Sequence, residues 1–403
     1  MGYYTYMEKI VQIKNGISDE TRFIVANSIS TFGSGLTYML FVLFWAKESS
    51  LTYSSVVIGG YLWLNIISMV LTGKYIDNRR KDNLLRVIQL LCFIFMVIVV
   101  LAFMYRNEVI MIILFLMLAL LNGVDANLAS SILPEITKKN NIKKINTYLQ
   151  LGGRFLGIFV GIIATWCSKY NRYSFAFMLD AITYLLAYFS YKKIMFKERE
   201  IICVKENSSY KALAINLIHD NKLIRAIVAI VLVNVALGSF DTLFPQLFAQ
   251  NGWDINNYGY VNAAYSLGSF FVVCTLFIKN NRFLNYGIFR GTIVFACILF
   301  GTSFMRNEII TYILVGGLGF YSVIMLINTK SYVQINAGSA YLGKLMALMS
   351  VLLKVAKPIG VFISNITVYF SNGSVFLKMM SVVLIVYSLI SRKGGARYEE
   401  LSS

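Results

Sequence analysis

Five ionisable side chains stand where charge is costly. Asp125, Asp180, Asp241, Lys354 and Lys357 all fall inside long apolar stretches of the chain. A charge at the centre of a bilayer costs about 2.5–3.5 kcal/mol on insertion scales, so such a group normally faces protein or water. Lys354 and Lys357 are three residues apart, which places them on one face of a helix. Two ammonium groups there can bind an anionic or carboxylate-bearing solute, or neutralise acids across an interface. They lie too deep for easy snorkelling. Asp125 can carry a proton or meet a basic solute; equally, it can pair with Arg79 or Arg154. Asp180 and Asp241 can gate a path or accept structural hydrogen bonds. Arg154 reads as structural.

The elements that must hold these groups follow from hydropathy. The chain has 403 residues, of which 58% are apolar and only 14% charged. An average soluble domain is about 25% charged. Apolar runs near twenty residues long recur from end to end, and that length matches a hydrocarbon core of about 30 Å at about 1.5 Å per helical residue. With only three prolines, Pro134, Pro245 and Pro358, long unbroken helices are expected. The runs predict twelve spans at 23–46, 54–73, 84–105, 109–132, 146–167, 173–191, 224–248, 256–278, 283–305, 309–329, 342–369 and 374–391. The fold class is therefore an all-α polytopic membrane protein of two six-helix bundles. Its expected parts are an N-terminal bundle over 1–191, a polar central loop over 192–222 and a C-terminal bundle over 223–403. Mixed spacing from Tyr210 to Leu223 predicts a short helix lying on the membrane face.

The net charge of +18 would suggest nucleic acid in a soluble protein. Here the cations lie between spans and report topology. With the N-terminus inside, 27 of the 37 Lys and Arg residues fall on inner segments and five on outer loops. That bias puts both termini in the cytoplasm of a cell membrane. Abundant Lys, Asn and Ile suggest a bacterial gene. Polar and basic residues fill the first twenty or so positions, so a cleaved leader is not expected.

The two halves carry traces of one another. Arg106-Asn107-Glu108 precedes the fourth span and Arg306-Asn307-Glu308 the tenth, an offset of 200 residues that Gly59 and Gly259 share. A duplicated unit with an even number of spans gives parallel repeats, with the substrate path between them.

Several chemistries are not indicated. The five cysteines are scattered without a Cys-x-x-Cys pair, and His219 is the single histidine, so no metal site is expected. His219 reads as a surface residue. No phosphate-binding loop occurs, so ATP hydrolysis is not expected and uphill work would draw on an ion gradient or membrane potential. No constellation for an intramembrane enzyme stands out, and no cofactor is called for.

Between spans two and three runs Gly73-Lys74-Tyr75-Ile76-Asp77-Asn78-Arg79-Arg80-Lys81. This resembles the loop signature of the major facilitator superfamily, Gly-x-x-x-Asp-Arg-x-Gly-Arg-[Arg/Lys]. Gly73 and Asp77 match in register and Lys81 replaces the later basic residue; Asn78 and Arg80 depart from the pattern. The resemblance implies a latch in which Asp77 faces the start of span eleven near Gly343, while Arg79, Arg80 or Lys81 pairs with Asp125 or Glu135. A carboxylate at a helix N-terminus gains about 0.3–1 kcal/mol. The plain alternative is a basic loop on the inner face.

Further segments are similar to the macrolide-efflux (Mef-like) branch of that superfamily. They are Leu133-Pro134-Glu135, Asp180-Ala181, Leu243-Phe244-Pro245, Tyr341-Leu342-Gly343-Lys344 and Pro358-Ile359-Gly360. In the expected antiporter signature of helix five, Gly152, Gly153, Gly157 and Gly161 are present and the proline is missing. The resemblance implies a carrier working by alternating access, with export of an amphipathic small molecule such as an antibiotic, in exchange for protons. Membrane lipid is the other expected partner, nucleic acid is not, and a monomer is expected. Three further readings stay open: a dedicated or self-immunity exporter for an endogenous peptide, siderophore or antibiotic, a lipid transporter, and a carrier-derived receptor that no longer transports.

Overall fold

The computed structural model describes residues 18–48, 51–77, 81–137, 142–194, 221–275, 287–304, 307–336 and 342–393. They form helices in chain order: α1 (Asp19–Glu48), α2 (Leu51–Asp77), α3 (Lys81–Met104), α4 (Glu108–Ile136), α5 (Ile142–Lys169) and α6 (Tyr173–Lys192). There follow α7a (Asn221–Gly238), α7b (Phe240–Gln250), a 3-10 turn (Ile255–Asn257), α8 (Tyr258–Thr275), α9 (Ile288–Thr302), α10 (Glu308–Asn336), α11 (Leu342–Phe370) and α12 (Gly373–Lys393). Each predicted span has its helix. Among the described residues, nine helices are long and apolar enough to cross a membrane, and the bent pair α7a–α7b makes a tenth. The chain is an all-α polytopic membrane protein. Apolar stripes turned away from the protein fit that solvent: Val87, Leu90, Ile94, Ile98 and Leu101 recur at helical spacing along α3, all exposed.

The predicted single span 224–248 is two helices that meet at a bend of 44°. The break falls at Gly238-Ser239, a Gly/Ser pair of the kind that kinks helices. A Cβ on Gly238 would overlap the Lys357 carbonyl of α11, so the small residue lets two backbones touch. The Ser239 hydroxyl donates back to Ala236 O at 2.7 Å, which competes with the helix ladder. Pro245 lacks the N–H that would reach the Asp241 carbonyl.

The repeated Asn is a helix cap in both halves. Asn107 Oδ1 accepts from the Ile110 N–H at 3.1 Å, and Asn307 Oδ1 from the Ile309 and Ile310 N–H groups at 2.9 and 3.2 Å. Three helix ends close with a left-handed residue, Arg106, Asn171 or Gly252. In each, the following N–H reaches back to the carbonyl five residues earlier, as Asn107 does to Ala102 at 2.9 Å.

Contacts divide the chain into two compact units. The first comprises 1–37, 67–156 and 173–203, where α3 packs on α4 and α6. At its centre Asp180 is fully buried and accepts from Thr37 Oγ1 at 2.5 Å and Thr183 Oγ1 at 3.1 Å. Gly33 makes room for it. The second unit comprises 38–66, 157–172 and 204–403. Glycines let its backbones close up: a Cβ on Gly268 would strike Gly316 O, on Gly319 the Tyr265 carbonyl, and on Gly360 the Val235 carbonyl. Small residues at such crossings are how helices associate in lipid.

A Cβ on Gly33 would overlap both Thr183 Oγ1 and Asp180 Oδ1. Gly33→Ala is expected to destabilise the protein by about 1–3 kcal/mol through overpacking. Gly153→Ala, with nothing within 4 Å, is expected to be neutral. Thermal midpoints of the two purified variants check this; equal midpoints would contradict it.

Candidate functional site

In the first unit, Asp125 is half-buried on α4 and accepts from Gln89 Nε2 at 2.9 Å. Gln89 Oε1 in turn accepts from Ser30 Oγ at 3.2 Å, so α1, α3 and α4 are joined by one polar chain ending on a carboxylate. Among the described residues Asp125 forms no ion pair with Arg154, which is half-buried on α5. The surroundings of Asp180 are those of a buried hydrogen-bond acceptor.

The loop motif is described only in part. Lys81 Nζ donates to the Ser131 backbone carbonyl of α4 at 3.3 Å. Gly73 and Asp77 lie in the last turns of α2, Glu135 near the end of α4 and Gly343 in the first turn of α11; these side chains are outside the described residues. So are Asn78, Arg79 and Arg80 entirely, and with them His219 and nearly all of the predicted interfacial helix.

In the second unit, Lys354 is half-buried and Lys357 exposed on α11. Asp241 is the best organised of the candidate groups. It sits in the first turn of α7b, just past the helix break. Tyr38 OH of α1 donates to its Oδ2 at 2.8 Å and Tyr258 OH of α8 to its Oδ1 at 2.8 Å. Tyr61 of α2 packs on Tyr38 with ring centroids 5.1 Å apart. Both carboxylate oxygens are thus held by phenols from two other helices.

More cross-links surround this cluster. Lys47 Nζ donates to Ser168 O of α5 at 3.0 Å, and Ser168 Oγ to Asn256 Oδ1 of the 3-10 turn at 2.7 Å. Gly59 of α2 meets Phe362 and Val361 of α11, while Gly259 of α8 meets Thr165 and Gly161 of α5. The two glycines that share the 200-residue offset in sequence therefore both serve as close-packing points, each between a helix of the first six and one of the second six.

Sequence reasoning missed Tyr38, Tyr258, Gln89 and Ser30. The tyrosines were indistinguishable from interfacial anchors. Gln89 carried a usable signal, a lone amide in a strongly apolar helix, which must find a partner in hydrocarbon.

Serial apolar helices make this a polytopic membrane protein. The family model of the Major Facilitator Superfamily matches residues 23–361, and the chain belongs to that superfamily. Two solved structures share the fold. A D-xylose-proton symporter aligns with a TM-score of 0.69 at 12% identity, covering 92% of this chain and 97% of its own. A nucleoside transporter, NupG, aligns with a TM-score of 0.65 at 12% identity, covering 94% and 98%. No curated protein matches by sequence. The chain is a transporter and not an enzyme.

A hydrogen bond to a charged group contributes about 1.5–3 kcal/mol net. Tyr38→Phe and Tyr258→Phe are each expected to loosen the contact of α7b with α1 and α8, raising the population with these helices apart about tenfold or more. Labelling rates of a cysteine placed at Ala46 in a Cys-free background report this; unchanged rates in both variants would contradict it.

Proposed function

We propose that the protein is a secondary exporter that moves amphipathic small molecules, such as antibiotics, out of a bacterial cell in exchange for protons. It belongs, on this reading, to the macrolide-efflux branch of its superfamily. Six helices before residue 192 and six after 222 rock against each other across a central path. Both termini lie in the cytoplasm, as the distribution of Lys and Arg supports.

The observation that carries the transport cycle is the clasp at Asp241. A carboxylate bonded by phenols of α1 and α8 ties the outer ends of helices from both halves. On this reading the clasped state is the one with its outer gate shut. Opening it exchanges two phenol bonds for water, at a net cost of a few kcal/mol. A solute shifts the cycle only through its unequal affinity for the two states. The export reading rests on the resemblance of short segments, from Leu133-Pro134-Glu135 to Pro358-Ile359-Gly360, to the macrolide-efflux branch; at 12% identity the solved relatives speak for the fold and not for the cargo.

In this scheme Lys354 and Lys357 meet the solute from α11. Asp125, at the end of the Ser30–Gln89 chain, contacts basic solutes or carries the exchanged proton. Loss of the proton gradient then stops export.

Expression in a drug-sensitive bacterial host is expected to raise the inhibitory concentration of amphipathic antibiotics severalfold, and Lys354→Met/Lys357→Met to remove that gain at equal membrane abundance. A host whose drug profile is unchanged by the wild-type chain would count against drug export. Uptake into inverted vesicles that survives collapse of the proton gradient would reject proton coupling. Tags at the two termini are expected to be protease-accessible from the cytoplasmic face alone; tags on opposite faces would overturn the even span number.

A further inference from the structure

Beside Asp241 lies a small cavity of about 30 Å³. Its polar wall is Asp241, Thr242 and Gln246 of α7b with Ser54 of α2, and Val42 and Ile58 are part of its apolar wall. That volume is enough for one or two water-sized occupants. Three observations describe what such an occupant would meet. The Gln246 Oε1 atom is buried and has no hydrogen-bond partner among the described residues. The Thr242 hydroxyl spends its proton on Ser239 O at 3.1 Å, leaving oxygen lone pairs for the cavity. The Asp241 carboxylate has two phenol donors and, among the described residues, no cation paired with it.

A carbonyl-type oxygen left alone in a dry site costs about 1–3 kcal/mol. A carboxylate at that depth without a counter-charge costs more. Water could satisfy the amide oxygen, but it leaves the carboxylate uncompensated. A cation answers both. The donors are all oxygens, which suits a hard ion. They include one carboxylate and three neutral groups, which suits a single positive charge.

We infer that this cavity is a binding site for a sodium-sized monovalent cation, held by Asp241, Gln246, Thr242 and Ser54. The ligands come from α2 and α7b, one helix from each half of the chain. The site is complete only while those helices are packed, so the ion stabilises that packing by its own binding free energy.

The test uses the purified full-length protein in detergent with no solute present. Radiolabelled sodium is expected to bind saturably at one ion per chain. Thermal midpoints are expected to rise with sodium chloride over choline chloride at equal ionic strength. Gln246→Leu and Ser54→Ala, neither of which touches the phenol bonds, are expected to weaken sodium binding about tenfold or more. Wild-type protein with no saturable binding and equal midpoints in the two salts would mean a water-filled cavity and overturn the inference. So would wild-type affinity in a folded Gln246→Leu or Ser54→Ala protein, which would put the ion elsewhere. Ion binding is read without transport, so its failure leaves the export proposal standing, and failure of drug export leaves the ion site standing.

Discussion

Apolar side chains gain nothing by preferring protein to lipid, so this protein must be held by what lipid cannot offer. Two things qualify. One is backbone touching backbone, which needs a glycine at the crossing. The other is a polar group meeting its partner, which in hydrocarbon is obligatory. The helix crossings follow that division. Gly238 and Gly360 bring α7a onto α11, and Gly268 and Gly319 bring α8 onto α10. Asp180 and Asp241 each sit where a glycine contact and a hydrogen-bonded carboxylate coincide or adjoin, so removing either partner disturbs both kinds of attachment at once.

The spans were legible because their signal is additive. Twenty apolar residues in a row mean a membrane whatever their order, and every predicted span found a helix. The Asn repeat was legible as a repeat, and its meaning as a cap was not drawn from it, although Asn before Glu at a helix start is a capping pattern. The candidate acids were found for the reason that makes them costly. What they bond to was hidden, because Thr37, Tyr38 and Tyr258 lie far from their carboxylates in sequence and look like ordinary residues of amphipathic type. The break in the seventh span was hidden too. Gly-Ser inside an apolar run is compatible with a straight helix, and it takes the Ser239 bond to Ala236 O and the Lys357 carbonyl against Gly238 to distinguish this one.

The glycines at positions 59 and 259 connect sequence to working parts. An offset of 200 residues could have been accident. Both, however, do the same work, on α11 and on α5 respectively, at crossings between the first and second six helices. The clasp at Asp241 breaks this equivalence: position 41, its counterpart at the same offset, is Phe41, fully buried against Trp45. The α5 side is tied instead by Ser168 and Asn256, at the turn before α8.

The broken seventh span has a mechanical consequence. Its first part, α7a, meets α11 at two points, Gly238 and Gly360. Its second part, α7b, is eleven residues long, an arm of roughly 16 Å that starts at the break. The clasp and the neighbouring cavity ride on that arm, within its first two turns. A rotation at the joint would therefore carry both of them away from α1, α2 and α8 only together with the contacts that Leu243 and Leu247 make at Gly373 of α12.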